Sequence, residues 1–174
     1  DATRFERLLA DGREQVSSGD PASAVAAFTS ALRLWRGPPL RELADWPVAQ
    51  AEVTRLEELH RCAEEELADA TLTLGRHHEW VASLEALVAQ EPLRERRWAL
   101  LMVALYRCGR QADALRAYQH VRAALGDLGL EPGPELQATE RAVTAHDPSL
   151  ARPGHRDGDQ RSDGDQRALP TGVV

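Results

Sequence analysis

The sequence contains no lysine; all 21 basic residues are arginine. We read this as the codon usage of a GC-rich bacterial genome and not as mechanism. There are only two cysteines, Cys62 and Cys108, which excludes a disulfide scaffold and predicts reduced, half-buried helix residues in a cytoplasmic protein. Aromatic residues make up 5% of the chain, so the core must be built from Leu, Ala and Val between helices. No apolar run reaches 18 residues and no signal peptide opens the chain, which excludes a spanning helix and predicts no membrane partner. Residue 1 is Asp and the only methionine is Met102, which predicts a piece of a longer protein.

A basic surplus is also missing. Net charge is −7, and residues 1–150 carry all of it, with 17 Arg against 24 acids. So acidic a domain lacks the electrostatic footprint for a phosphate backbone, and no direct nucleic-acid contact is expected of this chain.

Catalytic signatures are lacking too. There is no GxGxxG, GxxxxGK[ST] or GxSxG. In the Gly-rich stretch from Gly129 to Pro134, prolines remove the amides that a phosphate nest requires. His77-His78-Glu79 would begin an HExxH motif only with a histidine at position 82, which is Ala82. Adjacent helical residues point about 100° apart, so the two histidines are expected to be solvated and not to share an ion. Glu64-Glu65-Glu66 reads as an exposed helix face. These readings predict no enzyme, no catalytic residue, no metal and no cofactor.

What is present is a repeat. It aligns without gaps at Gly19, Gly75 and Gly109. Five positions on stand Ala24, Trp80 and Ala114; nine on stand Phe28, Leu84 and Tyr118; twelve on stand Ala31, Leu87 and Val121. The second and third glycines are 34 residues apart, the tetratricopeptide (TPR) period. In that motif glycine turns the chain between antiparallel helices, a small residue admits close approach, and the larger one fills the groove. Trp80 stands where the repeat has Ala, which predicts wider helix spacing there. The expected fold is therefore all-α, a TPR-like helical repeat (α-solenoid) of about seven helices. Such folds present surfaces.

The helices can be placed. The first spans about Thr3 to Ser17, with Phe5, Leu8, Leu9 and Val16 as its apolar stripe. Asp20 caps the second, Pro21 starts it, and Ala24, Val25, Phe28, Ala31, Leu32 and Trp35 form its inner face. It is expected to stop at Gly37-Pro38-Pro39. About 22 extra residues follow, and a long third helix begins at Asp45 and Pro47. Helices are then expected over His77 to Gln90, Leu93 to Arg107, a stretch ending near Leu125, and Pro134 to His146. From Pro148 the composition turns to Gly, Asp, Arg and Gln, with RDGDQR nearly repeated as DGDQR. We read residues 149–174 as a disordered linker towards a further C-terminal domain.

Candidate partner-binding residues follow from the TPR groove, which is lined by the first helix of each pair. They are Gln15, Arg94, Arg97 and Leu105, with Trp35 and Trp46 flanking the insertion. The cluster Arg94, Arg96 and Arg97 has the forked geometry that suits carboxylates or phosphates. Internal pairing with Glu91, Glu95 or a neighbouring repeat is the favoured reading, and core packing is the favoured role of most tryptophans.

Three phrases carry a more specific resemblance: LRLWRGPPLRELADWP at 32–47, the block from RLEELHRC to HVRAAL at 55–125, and LGLEPGPELQATERAV at 128–143. Together with the opening DATRFERLL they closely resemble the bacterial transcriptional activator domain, the TPR-like regulatory domain of SARP-type regulators. The resemblance assigns residues 1–148 to that domain. It implies a role in dimerisation, inter-domain packing and activation of transcription, with an N-terminal winged helix-turn-helix of the parent protein reading DNA. Implied partners are other domains of the parent chain, a second copy, and RNA polymerase. The ending ALPTGVV resembles the lead-in to a class III nucleotide cyclase. This keeps open an alternative: a sensory or scaffold domain of a signalling enzyme, either such a cyclase or a STAND ATPase.

Overall fold

A computed structural model describes residues 2–37 and 47–151. These form eight helices and no strand: α1 (Ala2–Ser18), α2 (Pro21–Leu32), α3 (Pro47–Thr73), α4 (His77–Gln90), α5 (Glu95–Arg107), α6 (Gln111–Gly126), α7 (Pro134–Thr144) and α8 (Pro148–Ala151). The architecture is the expected TPR-like helical repeat.

The three repeat glycines each end a helix in the left-handed region, with φ of 79° at Gly19, 78° at Gly75 and 74° at Gly109. Each makes the same pair of bonds. The Gly109 amide donates to the Tyr106 carbonyl at 2.9 Å, and the Arg110 amide donates to the Leu105 carbonyl at 2.9 Å. This double closure satisfies the last free carbonyls of the helix and turns the chain back. Asp20 caps α2 as expected, its Oδ1 accepting from the Ser23 amide at 3.0 Å. The small and large repeat positions are all buried except Trp80, which is half-buried.

The core has two parts. Phe5, Leu9, Ala24, Phe28 and Ala31 meet Ala63, Leu67 and Ala70 of α3. On another face of α3, Ala68 and Leu72 join the larger cluster formed by α4 to α7. Trp80 packs against both clusters and joins them. Its bulk at an alanine position is spent on that junction. The centre of the larger cluster is α5, where Trp98 to Met102, Ala104 and Leu105 are all buried. A helix apolar on nearly all sides must be surrounded, and here α3, α4, α6, α7 and α8 surround it.

Several expectations need correction. Helix α2 ends at Leu32, so Trp35 lies beyond it in the following turn. Val16, expected in the core stripe of α1, is 51% exposed; Gly12 is buried in its place. Glu65 is not on an exposed face but is 3% exposed. An eighth helix, α8, follows α7, and its Leu150 packs on the core, so folded structure runs one turn past Pro148. Arg107 fastens that turn by donating to the carbonyls of Leu150 at 2.8 Å and Leu72 at 2.6 Å. The insertion segment 38–46, the linker from residue 152 and the ALPTGVV ending lie outside the described residues.

Candidate functional site

The open face between α1, α2 and α3 holds a groove of about 930 Å³. Its apolar lining is offered by Val16, Pro21 and Leu74, and beneath them lie Phe28 and Ala70, buried members of the N-terminal core. Val16 of α1 stands exposed on one wall, and Thr73 and Leu74 line the other. Two ion-paired arginines frame it. Arg13 forks onto Glu66 with bonds of 2.8 and 2.9 Å, and Arg96 spans Asp69 at 3.2 Å and Glu135 at 3.1 Å. An apolar lining with a charged rim fits a protein segment: burial supplies affinity and the rim sets register.

A second assembly lies where α5 meets α3, around the Arg97 guanidinium, which is 1% exposed. Its Nη2 donates to Glu64 at 2.7 Å, its Nε to Glu65 at 3.3 Å, and its Nη1 to the Leu87 carbonyl at 3.2 Å. Glu91 closes the ring at 3.3 Å and also accepts from Arg61 Nε at 2.6 Å. Arg94 bonds Glu65 and Glu58, the latter at 2.8 Å. Hydrogen bonding from Arg94 holds the Glu58 carboxyl below its ordinary range. Burial raises Glu64 above its ordinary range, against the pull of Arg97. His60 packs on Trp35 with centroids 4.4 Å apart and the rings tilted by 36°, and burial, aided by Arg97 and Arg61, keeps its imidazole neutral to lower pH. These groups neutralise one another internally and hold α3 to α5.

The candidate residues are therefore placed as follows. Arg97 and Leu105 are buried and neither lines this groove, although Arg97 and Trp35 border a smaller cleft of about 290 Å³. Arg94 is tied into the network, while Gln15 and Trp35 are half-buried. Trp35 packs on Phe5 as well as His60, a contact that joins the α2 exit to α1 and α3. Trp46 lies outside the described residues. Of the arginine cluster only Arg96 reaches the groove. The groove residues Arg13, Val16, Glu66 and Thr73 were missed, because an apolar residue at core spacing looks the same whether or not a helix covers it. The signal available was the length of α3, which outruns α1 and α2.

Two smaller readings also resolve. The Gly133 amide donates to Glu95 Oε2 at 2.6 Å, so a carboxylate of the chain itself occupies the Gly-rich turn. The histidines at the start of α4 do not diverge: their ring centroids are 4.6 Å apart. Among the described residues no helix is long and apolar enough to cross a membrane.

Residues 1–144 match the bacterial transcriptional activator domain family. The chain is 41% identical over 154 residues to the transcriptional regulator RedD of Streptomyces coelicolor, covering 88% of this chain and 44% of RedD. It is 38% identical over 155 residues to the regulatory protein DnrI of Streptomyces peucetius, covering 88% of this chain and 57% of DnrI. Among solved structures, Mycobacterium tuberculosis EmbR in complex with a low affinity phosphopeptide aligns with a TM-score of 0.81 and 35% identity. That alignment covers 86% of this chain and 41% of EmbR. The chain thus spans about half the length of these relatives. A helical repeat superposing on a solved relative, with a family match running through α7, places the chain in the bacterial transcriptional activator domain family of SARP-type regulators, in the regulation of transcription.

Proposed function

We propose that this chain is the regulatory, protein-interacting domain of a SARP-type transcriptional activator of the cytoplasm. It does no chemistry and does not itself touch DNA. The observation that carries this reading is the open groove with its apolar lining and ion-paired rim, on a domain of acidic net charge. DNA contact falls to an N-terminal winged helix-turn-helix of the parent protein. The groove receives a segment of that same parent chain; the relatives' greater length supports this occupant. Homodimerisation and contact with RNA polymerase are downstream of that packing.

The test compares the parent regulator with this chain alone. The parent should retard its promoter fragment and this chain should not; tight, salt-sensitive retardation by this chain would overturn the reading. In the parent, amides around Val16 and Thr73 should exchange more slowly than in the isolated chain. Val16→Glu should lift that protection and lower reporter activation about tenfold, the loss of one central contact.

The second reading, a control domain in a larger signalling protein, has one observation in its favour. AfsR of Streptomyces griseus is 41% identical over 154 residues, and this chain spans only 16% of it. A cyclase or ATPase encoded downstream of residue 174 would favour that reading.

A further inference from the structure

The 34-residue spacing of Gly75 and Gly109 puts two successive repeat turns side by side on one edge of the array. His77 and His78 follow the first turn as the opening residues of α4, and Cys108 precedes the second as the C-cap of α5. Cys108 Sγ lies 3.3 Å from His78 Nδ1. One ligand atom from each of His77, His78 and Cys108 falls within 4.8 Å of the others. The Nδ1 atom of His77 is buried and has no hydrogen-bond partner. A buried imidazole nitrogen without a partner is costly unless something occupies it.

We propose that His77, His78 and Cys108 form a binding site for a zinc-class divalent cation that staples the two repeat turns together. Two imidazoles and one thiolate are a borderline-soft donor set that zinc takes with three protein ligands and one open position. In a tetrahedron with bonds of about 2.0–2.3 Å, ligand atoms stand about 3.3–3.6 Å apart. The Cys108–His78 pair already has that separation. The remaining closure, from at most 4.8 Å, is within the reach of side-chain rotation. His78 is exposed, so the fourth position opens to solvent and can take water.

The two cations beside the site are each engaged elsewhere. Burial, then His78 and Arg107, keep the His77 ring neutral to lower pH, and neutral imidazole is the form that binds metal. Arg107 is itself committed to two backbone carbonyls. Burial pushes the Cys108 thiol up against the opposing pull of Arg110, which pairs with Asp113 at 2.6 Å. Binding releases the thiol proton to solvent and forms the metal–sulfur bond, with no change in oxidation state.

The experiment uses this chain without a histidine tag, titrated with Co²⁺ and then Zn²⁺. The expected result is one cobalt per chain, a thiolate-to-cobalt charge-transfer band in the near ultraviolet, and full displacement by zinc. Saturating zinc at a hundredfold excess over Kd should raise Tm by about 5–10 °C. Cys108→Ser should abolish the band, and His78→Asn should weaken zinc binding about tenfold or more. Cys62→Ser should change neither. Because His78 is exposed, its variant keeps the test valid should Cys108→Ser fail to fold. An absent band, a band that survives Cys108→Ser, or zinc affinity unaltered by His78→Asn would overturn the site. The three residues would then make only a thiol–imidazole contact.

Discussion

Gly12 of α1 faces the ring of Phe28 of α2 so closely that a Cβ at Gly12 would stand 2.4 Å from Phe28 Cε1 and 2.7 Å from Cδ1. The N-terminal helix pair is seated on this contact, and Phe28 is fully buried under it. Gly12→Ala should therefore destabilise the domain by about 1–3 kcal/mol through overpacking, despite alanine's better helix propensity. Urea unfolding of the wild type and the variant measures the difference.

Gly109→Ala should cost less and for another reason. A Cβ there meets nothing within 4 Å, but φ is +74°. The penalty is backbone strain alone, about 1 kcal/mol. A Gly109→Asn variant, tolerant of the left-handed region, should recover part of it in the same denaturation series.

The buried ring around Arg97 predicts a large asymmetry. Arg97→Ala leaves Glu65, 3% exposed, without this partner, and should cost about 3–5 kcal/mol. Removing both charges in Arg97→Met with Glu65→Leu should cost markedly less than the sum of the two single changes. A double-mutant cycle by urea denaturation reads this directly.

The same region sets a pH dependence. Burial, with Arg97 and Arg61, lowers His60 from its ordinary 6.5. As pH falls through 6.5 the unfolded chain takes a proton that the folded chain refuses. The stability owed to neutral His60 is thus present above pH 6.5 and lost as pH falls through the folded value. Glu64 has the opposite sign: burial raises it from 4.5, so its contribution is full below 4.5 and lost as pH rises through the folded value. His60→Phe should flatten the acid-side fall in unfolding midpoint that begins near pH 6.5. An unchanged slope in that variant would assign the fall to other groups.

Much of the fold was legible because glycine and small residues are conformational statements. A left-handed turn needs Gly19, Gly75 and Gly109, and a close helix pair needs Ala24 and Ala114, so register could be read without coordinates. Helices α3 and α4 fall at their expected bounds because Pro47 and the Gly75 turn mark their ends chemically. Val16 and Glu65 were misread because periodicity reports which residues share a face, not what lies across from it. The Glu run looked solvated until α5 brought Arg94 and Arg97 over it. Cys108 joins His77 and His78 only across the repeat, at 30 residues' separation, and no local motif records that proximity.

Helix α3 gives Ala63, Leu67 and Ala70 to one core and Ala68 and Leu72 to the other, with Trp80 wedged where they meet. A helix owned by two cores cannot tilt for one and stay still for the other. The groove beside α1 and the packing around α5 therefore rest on the same helix. The two halves of the domain are thus built on one shared beam.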